Sequence, residues 1–269
     1  MDHSVHLGSA TDPSFYPSSA HLILADPPFP YASRMKQYTQ IRKENKTTLA
    51  PIPTPPPEDY LAFWEACLTI WQHILDPSGW LIFKSDDYGS KVVFQLTSQY
   101  FTYLGDIIWD KVAIGVGRYI RKCHEVLCVY RPLTPQKSYF LYNRKKKTTP
   151  IKHWHGGSQG IALSSVFHFL RIQAGIKGQK EQGHINQTPM EVWRNPLKYF
   201  CPSNGIVVDP FCGSGSILKE VQYQINHKHP LTYWGIDVMP QYVQQTQALL
   251  TGGLTAFIKK GEKINHESM

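Results

Sequence analysis

Residues 22–29 read Leu22-Ile23-Leu24-Ala25-Asp26-Pro27-Pro28-Phe29, a short apolar run that ends in an acid, two prolines and an aromatic ring. The apolar run predicts a buried strand, which delivers the following residues into a crevice at its carboxyl end. The prolines lack N–H groups and have a fixed φ, so their carbonyls stay available as hydrogen-bond acceptors. An amino group on a flat heterocycle suits this set, with its hydrogens on Asp26 and the Pro27 carbonyl and its ring on Phe29. Taken alone, the tetrapeptide fits an ordinary strand-to-loop turn equally well.

A second informative stretch lies much later, after an apolar strand predicted at 205–208. It reads Asp209-Pro210-Phe211-Cys212-Gly213-Ser214-Gly215-Ser216 and leads into a predicted helix at 217–226. Such a turn brings backbone N–H groups close to a nucleoside-like cofactor, and Asp237, at the end of the next strand, is placed to accept two ribose hydroxyls. The third glycine of a dinucleotide turn and the lysine of a P-loop are both missing, which disfavours NAD and ATP. S-adenosylmethionine, which has a ribose but no phosphates, is the best candidate cofactor.

Length and composition indicate an intracellular globular protein. The chain has 269 residues, enough for one large domain with a smaller insert, and its hydrophobic content of 42% is ordinary. No apolar run approaches the roughly 20 residues that a membrane-spanning helix needs, and the N-terminus does not resemble a secretory signal. The five cysteines form no CxxC pair, so neither a zinc knuckle nor a disulfide framework is expected, and the thiols should be reduced and mostly buried.

The charge distribution indicates a polyanionic partner. The formal net charge is +8, and the stretch from Lys111 to Lys147 holds ten Lys or Arg residues but only one acid, Glu125. The same part of the chain continues to His153 and His155, which are more simply loop residues than a metal pair because no further ligands accompany them. We therefore expect a local basic face and no metal site.

The remaining pattern alternates between helices and strands. The first 19 residues are predicted to be irregular, and 30–57 to be a long polar loop beside the proposed base pocket. Helices are predicted at 58–75, with its tryptophans in the core, and at 86–99, 189–199 and 240–250; strands at 22–25, 80–83, 103–109, 122–130, 205–208 and 231–236. Strand 122–130 is placed at a sheet edge, Pro196 near a helix end, and the tail after Gly252 is expected to be poorly ordered. In the region 132–183 only 161–171 has a helical pattern.

The two stretches, in this order, resemble the amino-methyltransferases of DNA, in the permuted class whose catalytic motif precedes the cofactor motif. Further stretches match the same family: 75–81 (LDPSGWL) resembles its LKPGG-type turn, 121–132 (RKCHEVLCVYRP) its HE-containing strand, and 184–189 (HINQTP) its HPTQKP box. The resemblance implies a Rossmann-like S-adenosylmethionine-dependent methyltransferase fold of the α/β class, with a mostly parallel twisted sheet and helices on both faces. It divides the chain into a catalytic half at 1–131, a target-recognition insert at 132–183 and a cofactor-binding half at 184–269.

The resemblance also assigns roles to residues. Catalysis falls to Asp26, Pro27, Pro28 and Phe29. Cofactor contacts fall to Ser9, Ala10, Asp26, Gln187, Thr188, Asp209, Phe211, Cys212, Gly213, Ser214, Gly215 and Asp237. Contacts to double-stranded DNA fall to Lys111, Arg118, Arg121, Lys122, Arg144 and Lys145, in a cytoplasmic, nucleoid-associated protein for which a homodimer is plausible.

Three positions depart from the family's pattern. Thr188 stands where lysine is usual, Ser9 stands where an aspartate commonly touches the adenine of the cofactor, and Phe29 replaces the commoner tyrosine. Stacking survives the last change. The other two bear on cofactor affinity more than on the type of reaction.

Several alternatives stay open. An initial Asp is more typical of adenine N6 methylation and an initial Ser of cytosine N4 methylation, which favours adenine, although Phe in fourth place also occurs among cytosine enzymes. RNA adenine methyltransferases typically carry Trp after the prolines, and a cysteine nucleophile would need the dipeptide Pro-Cys, whereas Cys201-Pro202 has the reverse order. A nucleic-acid-binding relative without catalysis remains the alternative from a different functional class.

Overall fold

The computed structural model describes residues 3–29, 57–112, 121–135, 165–169 and 188–251. These residues form one sheet of eight strands: β1 (Ser4–Leu7), β2 (Ala20–Ala25), β3 (Leu75–Ser85), β4 (Phe101–Asp110), β5 (His124–Pro132), β6 (Val166–His168), β7 (Gly205–Asp209) and β8 (Leu231–Asp237). Five α-helices accompany the sheet: α1 (Pro57–Ile74), α2 (Asp87–Tyr100), α3 (Arg194–Phe200), α4 (Ser216–Asn226) and α5 (Pro240–Thr251). Short 3-10 turns occur at Pro13–Phe15 and Met190–Trp193.

The strand order across the sheet is β1-β8-β7-β2-β3-β5-β4-β6. Every neighbouring pair is parallel except the two that involve β5, which runs antiparallel to β3 and β4. The carboxyl ends of the seven other strands therefore meet at one edge of the sheet. Side chains that follow these strands share a single crevice.

Two buried layers lie on opposite faces of the sheet, because alternate residues of β2 point to opposite sides. Leu22 and Leu24 pack in one layer with residues from α3, α4 and α5. Ile23 and Ala25 pack in the other with residues from α1 and α2. The tryptophans of α1, Trp64 and Trp71, are fully buried, which confirms that they belong to the core.

The point where the strand order reverses lies between β2 and β7, which pair through Leu22 with Val207 and Ile23 with Val208. From β2 the chain continues to β3 on one side, and from β7 it continues to β8 on the other side. Ligands in open α/β sheets bind at such a reversal, outside the carboxyl ends of the strands. Residues 26–29 follow β2 and residues 210–215 follow β7, so both informative stretches lie here.

Most predicted elements are confirmed within a few residues, but the two edge strands were not predicted. The N-terminal segment is not wholly irregular, because Ser4–Leu7 forms β1 beside β8. The described part of the predicted helix at 161–171 is strand β6, which pairs with β4. Each strand has only one buried residue, Val5 and Phe167, so neither shows a recognisable apolar pattern.

Two other predictions about position were wrong. Strand β5 lies inside the sheet, between β3 and β4, and not at an edge. Pro196 does not disturb a helix end but is the third residue of α3. Proline is tolerated in a first turn because the N–H groups there have no partner within the helix. Among the described residues, no helix is both long and apolar enough to cross a membrane.

Candidate active site

The Asp26 carboxylate lies just beyond β2 and already has a partner on each oxygen. Lys84 Nζ is 3.0 Å from Oδ1, and the Thr188 hydroxyl donates to Oδ2 over 2.7 Å. The Asp26 side chain is 22% exposed, so the carboxylate still faces the crevice. A carboxylate has about four lone-pair positions, so these two contacts leave room for a further donor. The residue at the unusual position 188 thus touches the predicted catalytic acid directly.

Lys84 is the penultimate residue of β3 and only 4% exposed. Besides Asp26, its ammonium bonds Glu125 Oε2 over 2.7 Å, and Glu125 Oε1 bonds the ammonium of Lys111. Burial alone would lower the pKa of Lys84, but the charges of Asp26 and Glu125 raise it above its ordinary value. Burial likewise opposes the charge on Glu125, yet the two lysines keep its pKa lowered. The result is a network of two ammonium groups and two carboxylates with no net charge.

Phe29 lies beside this network. The Lys84 ammonium is 5.1 Å from the centroid of the Phe29 ring and 5.7 Å from a ring centroid of Trp109. Both distances are within cation–π range, which helps to hold the ammonium in a largely dry place. Pro27 is buried while Pro28 and Phe29 are partly exposed. The ring of Phe29 therefore lies against the network and stays partly exposed, and stacking on a base stays a prediction.

The turn after β7 is built on glycines and on Asp237. Gly213 and Gly215 have φ values of 48° and 79°, in the left-handed region that favours glycine. Asp237 Oδ2 accepts a hydrogen bond from the N–H of Gly213 over 2.9 Å, and Oδ1 accepts one from the N–H of Met239 over 2.9 Å. Burial raises the pKa of Asp237, opposed by these N–H groups. The carboxylate predicted to bind a ribose also fixes the shape of the turn.

Other residues predicted to contact the cofactor point into the protein. The Asp209 carboxylate is buried, accepts a hydrogen bond from the Tyr233 hydroxyl over 2.8 Å, and has a pKa that burial raises well above its ordinary value. Phe211 packs 6.0 Å from Phe63, measured between ring centroids. Cys212 and Ser214 are also buried. Phe211, Gly213 and Ser216 keep partly exposed surface at this turn, and the cofactor contacts predicted here stay predictions.

The segment after β1 reaches the same crevice. The N–H of Gly8 donates to the carbonyl of Asp237 over 3.0 Å, so the Gly8-Ser9-Ala10 turn adjoins the end of β8. The Ser9 hydroxyl is 2.7 Å from that of Thr11. Ala10 is buried, and its carbonyl accepts a hydrogen bond from the Tyr16 hydroxyl over 2.8 Å. A cofactor contact from Ser9 or Ala10 stays a prediction.

The predicted DNA contacts are described only in part. Lys111 bonds Glu125 inside the network, and Lys122 lies 3.4 Å from Asp86 Oδ2 and also bonds Asp87. Both ammonium groups thus have carboxylate partners, whereas the sequence predicted contacts to phosphates. Arg121 is exposed. Arg118, Arg144, Lys145 and Gln187 lie outside the described residues, as do His153, His155, the predicted loop at 30–57 apart from Pro57, most of the predicted insert and the predicted tail.

Sequence reasoning missed Lys84 and the role of Glu125. A signal was present, because a lysine inside the apolar run Trp80–Ser85 of a buried strand needs an acidic partner. Which acid supplies it depends on the strand order: β5 is the neighbour of β3 and carries Glu125 near its start. Only the fold gives that neighbour.

The network makes stability depend on pH. Because the pKa of Glu125 is lowered in the folded state, its contribution exists above its ordinary value of 4.5 and is lost as pH falls through the lowered value. We expect Glu125→Gln to cost about 3 kcal/mol near pH 7, since it weakens a buried pair. Denaturant unfolding should show this difference from wild type shrinking below about pH 4.5.

Glu65 provides the control, because it is an exposed glutamate on α1 that accepts a hydrogen bond from Tyr100 over 3.0 Å. Glu65→Gln should change stability by less than about 0.5 kcal/mol at every pH. A Glu125→Gln difference that stays constant from pH 7 to pH 3 contradicts the predicted ionised network.

Comparisons with known proteins agree with this arrangement. A candidate DNA modification methylase from Thermus thermophilus aligns with 19% identity and a TM-score of 0.57, covering 91% of this chain and 93% of the other. The M1.HpyAVI–SAM complex aligns with 16% identity and a TM-score of 0.55, covering 91% and 98%. PvuII DNA methyltransferase, a cytosine-N4-specific enzyme, aligns with 12% identity and a TM-score of 0.59, covering 92% and 86%. These likenesses confirm the fold.

No curated protein sequence matches the chain significantly. A family model does match, and its description is DNA methylase of the N6/N4 type; the match extends over residues 20–248. It includes the stretch after β2, the Lys84 network and the turn after β7. Because it covers most of the sequence, the chain belongs to the N6/N4 DNA methylase family.

Proposed function

We propose that this protein transfers the methyl group of S-adenosylmethionine to the exocyclic N6 amino group of an adenine flipped out of duplex DNA. The observation that carries the proposal is the pairing of β2 with β7, which brings residues 26–29 and the turn at 210–215 to one place in the sheet. Methyl transfer requires the group that accepts the methyl and the group that donates it to lie next to each other, and this pairing brings their two proposed binding regions side by side. Two solved structures of this fold were obtained with S-adenosylmethionine.

The cofactor half of the site suits a nucleoside that carries a sulfonium. The glycine turn offers close backbone approach, and Asp237 lies at the end of β8, where the lone pairs left by Gly213 and Met239 face ribose hydroxyls. Asp26, Asp209 and Asp237 lie near enough to one another to influence the pKa of Asp209.

The base half of the site suits an amino group. The Asp26 carboxylate and the Pro27 carbonyl accept its two hydrogens, which directs the nitrogen lone pair toward the methyl group, while Phe29 stacks on the ring. The nitrogen attacks the methyl carbon, the carbon–sulfur bond breaks, and S-adenosylhomocysteine leaves. The extra proton then passes from the nitrogen to Asp26 or water. Positioning supplies most of the rate enhancement in such a reaction.

Adenine is favoured over cytosine because the motif begins with Asp26, as is more typical of N6 enzymes. Cytosine N4 is the second candidate, and the likeness to a cytosine-N4-specific enzyme supports it. The amino groups of both bases offer the same two hydrogens to Asp26 and Pro27. Discrimination must therefore come from contacts to the rest of the base.

The experiment is nucleoside mass spectrometry on unmethylated genomic DNA after incubation with the protein and S-adenosylmethionine. We expect N6-methyladenine, because a motif that begins with Asp26 is more typical of N6 enzymes. N4-methylcytosine would establish the second candidate in its place. No methylated base, in spite of measured cofactor binding, would contradict the proposal and favour a binding protein without catalysis. The proposed homodimer is tested separately by light scattering in solution.

A further inference from the structure

We propose that Lys84 is a positioning residue for methyl transfer, which orients the Asp26 carboxylate for the incoming amino group. The inference rests on the proposed catalytic role of Asp26 but not on the choice between adenine and cytosine. It concerns a residue on a different strand, β3, which the sequence motifs do not include. Its starting point is the 3.0 Å contact between Lys84 Nζ and Asp26 Oδ1.

The first step concerns the freedom of Asp26. Its side chain follows the end of β2, beyond the last residue paired in the sheet, so the backbone alone does not fix the plane of its carboxylate. The Lys84 ammonium and the Thr188 hydroxyl bind one oxygen each. Two donors on different oxygens define that plane. Because both donors are buried, their own positions are fixed by packing.

The second step concerns charge. An ammonium beside a reaction centre that becomes positive would oppose the reaction if it were uncompensated. Glu125 compensates it, since its carboxylate bonds Lys84 on one oxygen and Lys111 on the other. The four groups sum to zero, and Lys84 can hold Asp26 without leaving a net positive charge in the crevice. Lys84 is also no proton acceptor, because its pKa is raised and the amine stays protonated.

The third step concerns position 188. Thr188 stands where the resembling family has lysine, and its short side chain reaches Asp26 with a neutral hydroxyl. The ammonium that contacts the same carboxylate here comes from β3. In this chain the positive charge at the Asp26 carboxylate is thus supplied by a strand of the sheet, β3, and not by the segment before α3. We therefore expect the loss of Lys84 to have a large effect on methyl transfer.

The test compares Lys84→Met, which keeps an unbranched side chain and removes the charge, with the wild-type protein in steady-state methylation of DNA. We expect kcat to fall roughly 50-fold from loss of positioning, with KM for S-adenosylmethionine changed less than about threefold. Lys84→Met combined with Glu125→Gln keeps the loss in kcat but removes the charge of Glu125, which in the single variant has lost one of its two lysine partners. In Lys84→Ala, added propylammonium should recover activity at least about fivefold over the same concentration of tetramethylammonium.

A matched control separates positioning from stability. Arg194 bonds the fully buried carboxylate of Glu220 over 3.2 Å, away from Asp26. Arg194→Met should lower the melting temperature but leave kcat per folded molecule unchanged. If Lys84→Met behaves like this control, or if it raises KM for the cofactor at constant kcat, the proposal is overturned. The proposal is also overturned if propylammonium does not rescue Lys84→Ala and if the kcat of the double variant equals that of the wild-type protein.

A readout without activity distinguishes failure of this inference from failure of the proposed function. The Nζ signal of Lys84, followed by lysine-selective NMR, should be protected from exchange and should move in Asp26→Asn. If the wild-type protein produces no methylated base, the proposed function fails, and this signal still decides whether Lys84 holds Asp26. A signal that does not respond to Asp26→Asn overturns the inference.

Discussion

Replacement of Asp26 by alanine is expected to lower kcat for methyl transfer by about 1,000-fold or more, because both the orientation and the polarisation of the amino group are lost. The Pro27 carbonyl remains and holds only one of the two hydrogens. S-adenosylmethionine should still bind within about tenfold of the wild-type affinity, since the glycine turn and Asp237 are unchanged. Radiolabelled methyl incorporation at saturating cofactor, beside calorimetric cofactor titration, measures the two effects separately.

Asp26→Asn is the matched control for this prediction. It preserves the shape of the side chain and one carbonyl oxygen for Lys84, but an amide nitrogen replaces the oxygen that accepts from Thr188, so one acceptor and the charge are lost. We expect it to be intermediate, with a loss of about 100-fold. An alanine variant that retains more than a tenth of the wild-type kcat would remove Asp26 from the mechanism.

The second large effect is expected at Asp237, where alanine should weaken S-adenosylmethionine binding by about 1,000-fold. The two charge-assisted hydrogen bonds that we propose between Asp237 and the ribose hydroxyls account for it, at about 1.5–3 kcal/mol each. The substitution also removes the acceptor for the N–H groups of Gly213 and Met239, so the turn loses two hydrogen bonds that hold its shape. Equilibrium titration followed by intrinsic fluorescence or calorimetry gives the affinity, and a thermal melt confirms that the variant is folded.

Asp237→Asn and pH together check the cause. Burial raises the pKa of Asp237, so the carboxylate takes up a proton at a higher pH than its ordinary value of 3.8. Protonation removes acceptor capacity, and affinity in the wild-type protein should therefore decline on acidification through that raised pKa. Asp237→Asn cannot titrate and should show a flatter dependence. Equal pH dependence in both proteins would place the titrating group elsewhere.

The two stretches that meet where the strand order reverses could be recognised in the sequence because their signals are local. Residues 22–29 and 205–216 each combine an apolar strand with a turn, and the strand type, the glycines and the acids are visible without the fold. The same local signals led to the predicted cofactor contacts, which stay predictions. Asp209 and Cys212 belong to the motif, but their side chains are buried, whereas Phe211 is partly exposed.

The parts that could not be read depend on which strands become neighbours. β1 and β6 are short edge strands that are defined by their pairing with β8 and β4, not by an apolar pattern. β5 has the alternation of an edge strand but is buried because β4 lies beyond it. Lys84 was visible as an unusual lysine, but its partners come from β2 and β5. Pairing across the sheet therefore decided both the missed strands and the missed contact.

The pairing of β2 with β7 also has a consequence during synthesis on the ribosome. Asp26 emerges early, but its hydrogen-bond partner Thr188 is 162 positions later, and the contact between Val5 and Gln247 spans 242 positions. Until β7 appears, the β7-facing side of β2 has no neighbour and exposes unpaired backbone groups of a mostly apolar strand. Nascent chains that stop before residue 205 should therefore recruit chaperones or aggregate, and catalytic competence should arise only with the last part of the sheet.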